Sequence, residues 1–123
     1  MIWLMVALGG AGGSVVRFGV GQLALRYLGP GTVMGTFAVN ITGSLALGFF
    51  LTLALEKIAV PVEYRALIAV GFLGGYTTFS TLALDSVTLL QSGELARAIL
   101  SIGGNLVLGL LAAYLGILAA RAL

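Results

Sequence analysis

Three groups of polar residues sit inside long apolar stretches of this chain. Asn40 stands amid the second stretch, with Thr36, Gly43, Ser44 and Gly48 on its face at helical spacing. Its amide offers two donors and no charge, which suits an anion. A hydrogen bond to a neighbouring helix would use the same donors, and a small-residue face also serves close helix packing. Gly74-Gly75-Tyr76-Thr77-Thr78-Phe79-Ser80-Thr81 forms the centre of the third stretch. Two glycines and four Ser/Thr residues weaken a helix there, and backbone freed at that depth must be buried in protein or line a wet cavity. Unwound carbonyls are a common means of holding a cation. The alternative is a kinked helix with Ser and Thr bonding back one turn; the density of the cluster favours a break. In the fourth stretch Ser101, Asn105 and Gly109 recur four apart. They serve either as a packing face or, with Asn40, Ser80 and Thr81, as a ladder of neutral donors across a membrane. Phe79 adds an electropositive ring edge if presented edge-on, and ordinary packing otherwise. Arg17 lies in the first stretch, in row with Gly9, Gly13 and Gly21. It either draws anions into a vestibule or snorkels to the interface and pairs with Asp85 or Glu56.

The groups that are missing narrow the chemistry further. The chain has no cysteine and no histidine, so hydrolytic and redox enzymology lack their usual nucleophile, general base and metal ligands. No carboxylate or lysine occupies the centre of an apolar stretch. Neutral donors fit a site that must release its ion, because a fixed buried charge holds an ion too tightly.

The elements that must position these residues follow from composition. Hydrophobic residues make up 60% of the 123 positions and charged residues 8%, against about 25% charged in soluble domains. The apolar runs are continuous rather than alternating, so membrane-spanning helices are expected. They are placed at about Ile2–Leu25, Thr32–Leu55, Ala66–Leu90 and Leu95–Ala120, forming one four-helix transmembrane domain over residues 1–123. Arg26–Gly31 and Gln91–Glu94 are expected to be tight turns, and Glu56–Arg65 a water-facing loop. Met1–Val16 lacks the basic start of a signal peptide and is expected to stay as a helix. Trp3, Tyr27, Tyr64 and Tyr114 read as interface anchors or packing. With four spans, Lys57, Arg65 and Arg121 fall on one side, and Arg26 and Arg97 on the other. Three against two gives almost no orienting bias. If both orientations occur, an antiparallel dimer about an axis in the membrane plane becomes possible; alternatively, Arg17 or the lipid decides one orientation. The net charge of +2 comes with no basic cluster, so no nucleic-acid partner is expected.

Taken together, these residues resemble the Fluc family of fluoride channels, also called the CrcB family, over essentially the whole chain. The resemblance is carried by Gly9-Gly10-Ala11-Gly12-Gly13 with Arg17-Phe18, by Gly35-Thr36-Phe37-Ala38-Val39-Asn40 with Gly43, and most specifically by Gly71 to Thr81. It implies an all-α integral membrane fold of four transmembrane helices, the third broken near its centre, assembled as an antiparallel dual-topology dimer with two pores. It further implies pore residues Asn40 and Phe79, with Ser80 and Thr81 near the break and Ser101 and Asn105 on a polar track of the fourth helix. A sodium ion at the dimer centre is implied as well, held by the main-chain carbonyls of Gly74 and Thr77 from both subunits. The expected setting is the cell's inner (plasma) membrane, with lipid, fluoride and a second copy of the chain as partners. One departure stands out. The family usually carries a second phenylalanine three residues after the first, and this chain has Leu82. Asp85 also stands where the family often has glutamate.

The leading expectation is a passive fluoride-selective channel. Two alternatives remain at this point: a proton-coupled small-molecule exporter, which needs a titratable carboxylate deep in the membrane, and a partner subunit of a heteromeric channel, for which Leu82 argues.

Overall fold

Long apolar runs without alternation can satisfy their backbone in hydrocarbon only as helices, and helices account for nearly the whole chain. The computed structural model describes residues 1–123. Its elements are α1 (Ile2–Leu28), α2 (Met34–Lys57), a third span Val62–Gln91 split into α3 (62–76) and α4 (Phe79–Gln91), and α5 (Leu95–Arg121). All four spans are long and apolar enough to cross a bilayer, and the chain is a multi-pass membrane protein.

The ends of the helices depart from the sequence expectation for local reasons. Helix α1 runs three residues past Leu25 and stops at Gly29, whose φ of 86° takes it out of the helix while its N–H closes on Leu25 O at 3.0 Å. Pro30 and Gly31 then turn the chain. The expected loop Glu56–Arg65 is mostly helical: Glu56 and Lys57 complete a π-helical turn ending α2, and Val62–Arg65 opens α3 behind Pro61. Only residues 58–61 are extended or bent. The charged residues tolerate helix here because they find partners. Arg121 donates to both carboxylate oxygens of Glu56 (2.8 and 3.0 Å), and Lys57 donates to the Arg121 carbonyl at 3.1 Å. At the opposite end, Arg97 reaches Glu94 (2.9 Å) and the Gly31 carbonyl (3.1 Å).

Packing is driven by small residues. Helix α1 lies along α3, and α2 along α5. A Cβ on Gly9 would sit on the Leu67 carbonyl, and one on Gly13 on the Phe72 carbonyl. Backbone meets backbone along this seam, as membrane helices pack. Only 20 of 123 residues are buried, and Val39 is the largest fully buried side chain. The remaining apolar surface faces lipid or a protein partner.

Candidate functional site

The third span breaks at Thr77-Thr78, not at the glycines. Gly74 keeps helical angles (φ −65°, ψ −37°), whereas Thr77 (φ −86°, ψ 156°) and Thr78 (φ −151°, ψ 116°) are extended. The glycines instead allow close approach: a Cβ on Gly75 would lie 2.8 Å from the Gly10 carbonyl, and one on Gly43 would collide with the Thr77 methyl.

Extended backbone at this depth needs partners for its polar groups, and the preceding turn and α2 supply most of them. Thr77 N–H bonds Leu73 O at 3.1 Å, and its hydroxyl donates to the same carbonyl at 3.0 Å. Thr78 is held by Asn40 as if by a paired strand. The Thr78 N–H donates to Asn40 Oδ1 at 2.8 Å, and Asn40 Nδ2 donates to Thr78 O at 3.1 Å. The Thr78 hydroxyl accepts from the Thr81 N–H (3.2 Å) and so caps α4. Asn40 Nδ2 also donates to Asn105 Oδ1 at 2.8 Å, and Asn105 Nδ2 donates to the Ser101 carbonyl at 2.8 Å.

Two cavities meet at this break. One, of about 480 Å³, is lined by α1, α2 and α4 and includes Arg17, Thr36, Thr78, Thr81 and Asp85. The other, of about 370 Å³, includes Asn40, Thr78, Phe79, Leu82 and Asn105. Thr78 borders both. The break also starts a new helix at Phe79, whose first N–H groups have no preceding turn to bond, and the positive end of a helix favours an anion.

The candidate residues therefore divide. Asn40, Phe79 and Asn105 share the second cavity, Arg17 and Thr81 the first. Ser101 is buried and borders a third cavity of about 340 Å³ with Phe37 and Arg97; its bond to Asn105 is through its carbonyl alone. Ser80 is exposed, its hydroxyl 3.3 Å from that of Thr78. Phe79 is 81% exposed and does not pack within its own chain. Arg17 pairs with neither expected carboxylate. It donates to the Thr77 carbonyl at 3.3 Å, while Glu56 is taken by Arg121 and Asp85 accepts from Thr36 at 3.3 Å.

Thr78 is the site residue that sequence reasoning missed. Its signal was present, since a Thr preceding a run of helix formers, with its hydroxyl within reach of the N–H three residues on, is an N-cap. The Thr36–Asp85 pair had no such signal, because it joins residues 49 apart in the chain.

Comparison with known proteins settles the lineage. The family model described as "CrcB-like protein, Camphor Resistance (CrcB)" matches residues 4–117. The chain belongs to the CrcB family. Among its CrcB relatives, a protein of Rhizobium etli named "Fluoride-specific ion channel FluC" is 44% identical over 120 residues, covering 98% of this chain and 96% of that one. One of the same name from Thermus thermophilus is 48% identical over 114 residues, covering 93% and 90%. A third from Sulfurihydrogenibium is 37% identical and covers 98% of both. In this CrcB chain, Leu82 lines the same cavity as Phe79, so the departure noted in the sequence falls on the wall of the site.

Proposed function

We propose that this chain is a subunit of a fluoride channel in the plasma membrane, passing fluoride down its electrochemical gradient. It is a channel and not an enzyme. The observation that carries the reading is the break at Thr77-Thr78, where neutral donors and a helix N-terminus border two cavities that share one wall. Fluoride is small and strongly hydrated, so a narrow path must replace its water with fixed donors. Arg17 supplies positive charge in the first cavity and raises the local anion concentration there. Asn40, Phe79 and Asn105 then line the inner path, with Ser80, Thr81 and Ser101 flanking it. The exporter reading needs a carboxylate in the middle of the membrane; Asp85 lies seven residues beyond the break, bonded to Thr36.

The working unit in this proposal is an antiparallel dimer of two copies. Three features support it: the weak charge bias, the small buried core, and the exposure of Phe79, Ser80 and Thr81 at the start of α4. A sodium ion held between the two breaks completes the proposal. Thr78 N–H, which would close a helical turn on the Gly74 carbonyl, donates to Asn40 instead, and the Thr77 carbonyl carries only the 3.3 Å bond from Arg17, leaving a lone pair. The carbonyls of Gly74 and Thr77 from two copies would hold the ion and tie the two breaks together.

The test is fluoride efflux from liposomes carrying the purified chain. Fluoride-selective efflux supports the reading. Proton-coupled efflux of an organic cation, abolished in Asp85→Asn, would favour the exporter.

A further inference from the structure

One row of α2 carries a polar residue or a glycine every four positions: Thr36, Asn40, Ser44, Gly48 and Thr52. Four residues advance a helix by about 6 Å and return to nearly the same face. The row meets the cavities in turn. Thr36 lines the one that holds Arg17, and Asn40 lines the one that holds Phe79. Ser44 lines that second cavity and also a groove of about 260 Å³ between α2 and α5. Gly48 and Thr52 continue along the groove, with Ala113 and Ile117 of α5 on its other wall. Ser44 and Leu47 belong to both spaces, so the space beside the break extends toward the Lys57 end of α2. The hydroxyls along this groove are unpaired. A hydroxyl on a helix can bond back to the carbonyl one turn earlier, and those of Thr42, Thr77 and Ser86 do so. Ser44 and Thr52 make no such bond, although Thr52 is only 8% exposed. A donor buried that deeply is costly unless something else accepts from it. Space is left for an acceptor, because Gly109 stands opposite Ser44, where a side chain would begin 3.8 Å from its Oγ.

We infer that the hydroxyls of Ser44 and Thr52 are donors on the anion path, which leaves the break along the groove between α2 and α5. This deepens the fluoride-channel reading and rests on it for the identity of the ion; the ligand class is a small, strongly hydrated monovalent anion. Asn40 meets the ion at the break. Ser44 takes it about 6 Å further along α2, and Thr52 lies about 12 Å beyond Ser44. Gly48, between them, has no side chain to obstruct the groove. Each donor is neutral, so it replaces hydration water without holding the ion too tightly to pass on. The groove opens to the surface of the single chain, and the second copy of the proposed dimer supplies the wall that excludes lipid.

Ser44→Ala and Thr52→Val delete the two hydroxyls at nearly constant volume. In liposomes carrying the full-length protein, the double variant should lose fluoride flux roughly tenfold, with dimer elution and thermal unfolding unchanged. Thr52→Ser restores a hydroxyl and should keep the flux of the unaltered chain. Undiminished flux in the double variant overturns the inference. Loss of the dimer also overturns it, since the hydroxyls would then be interface contacts. A second arm does not depend on fluoride. The chain has no cysteine, so Ser44→Cys, Thr52→Cys and Leu110→Cys each introduce a single thiol, which reacts as its thiolate and hence in contact with water. Leu110 is 65% exposed and lies outside the groove. In nanodiscs, 2-aminoethyl methanethiosulfonate should modify Ser44→Cys and Thr52→Cys roughly tenfold faster than Leu110→Cys. Equal rates at the three positions overturn the inference. If the unaltered chain passes no fluoride yet both groove positions react faster, the channel reading fails while the hydrated groove stands.

Discussion

Asn40 does more for the backbone than its position in a pore would suggest. Its amide holds Thr78 on both sides and orients Asn105, so its loss damages the path and the fold together. Asn40→Asp should abolish fluoride flux and destabilise the protein by about 1–3 kcal/mol, because a carboxylate leaves the Thr78 carbonyl and Asn105 Oδ1 without donors. Liposome flux and thermal unfolding of the same preparation check both halves. Leu82→Phe should raise fluoride flux, since position 82 lines the cavity of Phe79 and a ring there adds an electropositive edge; flux is again the readout, and an unchanged rate would show that this chain does not use a second ring. The polar residues themselves were legible because Asn and Thr are costly in hydrocarbon. Their pairings were not, since Asn40 meets Thr78 across 38 positions and Arg17 meets Thr77 across 60. No local pattern encodes such partners.

At the scale of elements, the four spans were readable from continuous apolar runs, while their ends were not. Charged residues at Arg26 and at Glu56-Lys57 marked the expected ends, yet the helices continue through them because the side chains reach Arg121 or water. The break was expected from the whole cluster of glycines and Ser/Thr residues, and within that cluster it lies three residues beyond Gly74, at Thr77. Tertiary pairing with Asn40 selects the threonines, and the glycines keep helical geometry while α1 and α2 approach closely. Gly43 is the tightest of these positions for the site, since any side chain there meets Thr77 and lies within 3.2 Å of the Tyr76 ring. Gly43→Val should displace the break, cost about 1–3 kcal/mol of stability and lower flux. Thermal unfolding and flux report it together. Thr78→Ala removes the cap of α4 and should cost about 1 kcal/mol, whereas Thr78→Ser should keep nearly all of it; the contrast separates the cap from mere side-chain volume.

For the molecule as a whole, the core is small, Phe79 is exposed and the break opens to the surface. The proposed antiparallel dimer closes that face with its own symmetry mate and brings two sets of Gly74 and Thr77 carbonyls together. Exchange of sodium for N-methylglucamine should then weaken the dimer, read as a shift toward monomer on size-exclusion chromatography without any flux measurement. Sodium-independent elution would remove the ion from the proposed assembly. Apart from the family resemblance, the sequence bears on the proposed dimer only through a near balance of three basic residues against two, because an interface made of apolar and small residues would look the same as a lipid-facing surface. Fluoride conduction by this chain is tested most directly by anion efflux from liposomes reconstituted with the purified protein at low density. Rapid fluoride efflux with chloride retained is the predicted result. Failure of a monodisperse dimer to release fluoride would contradict it.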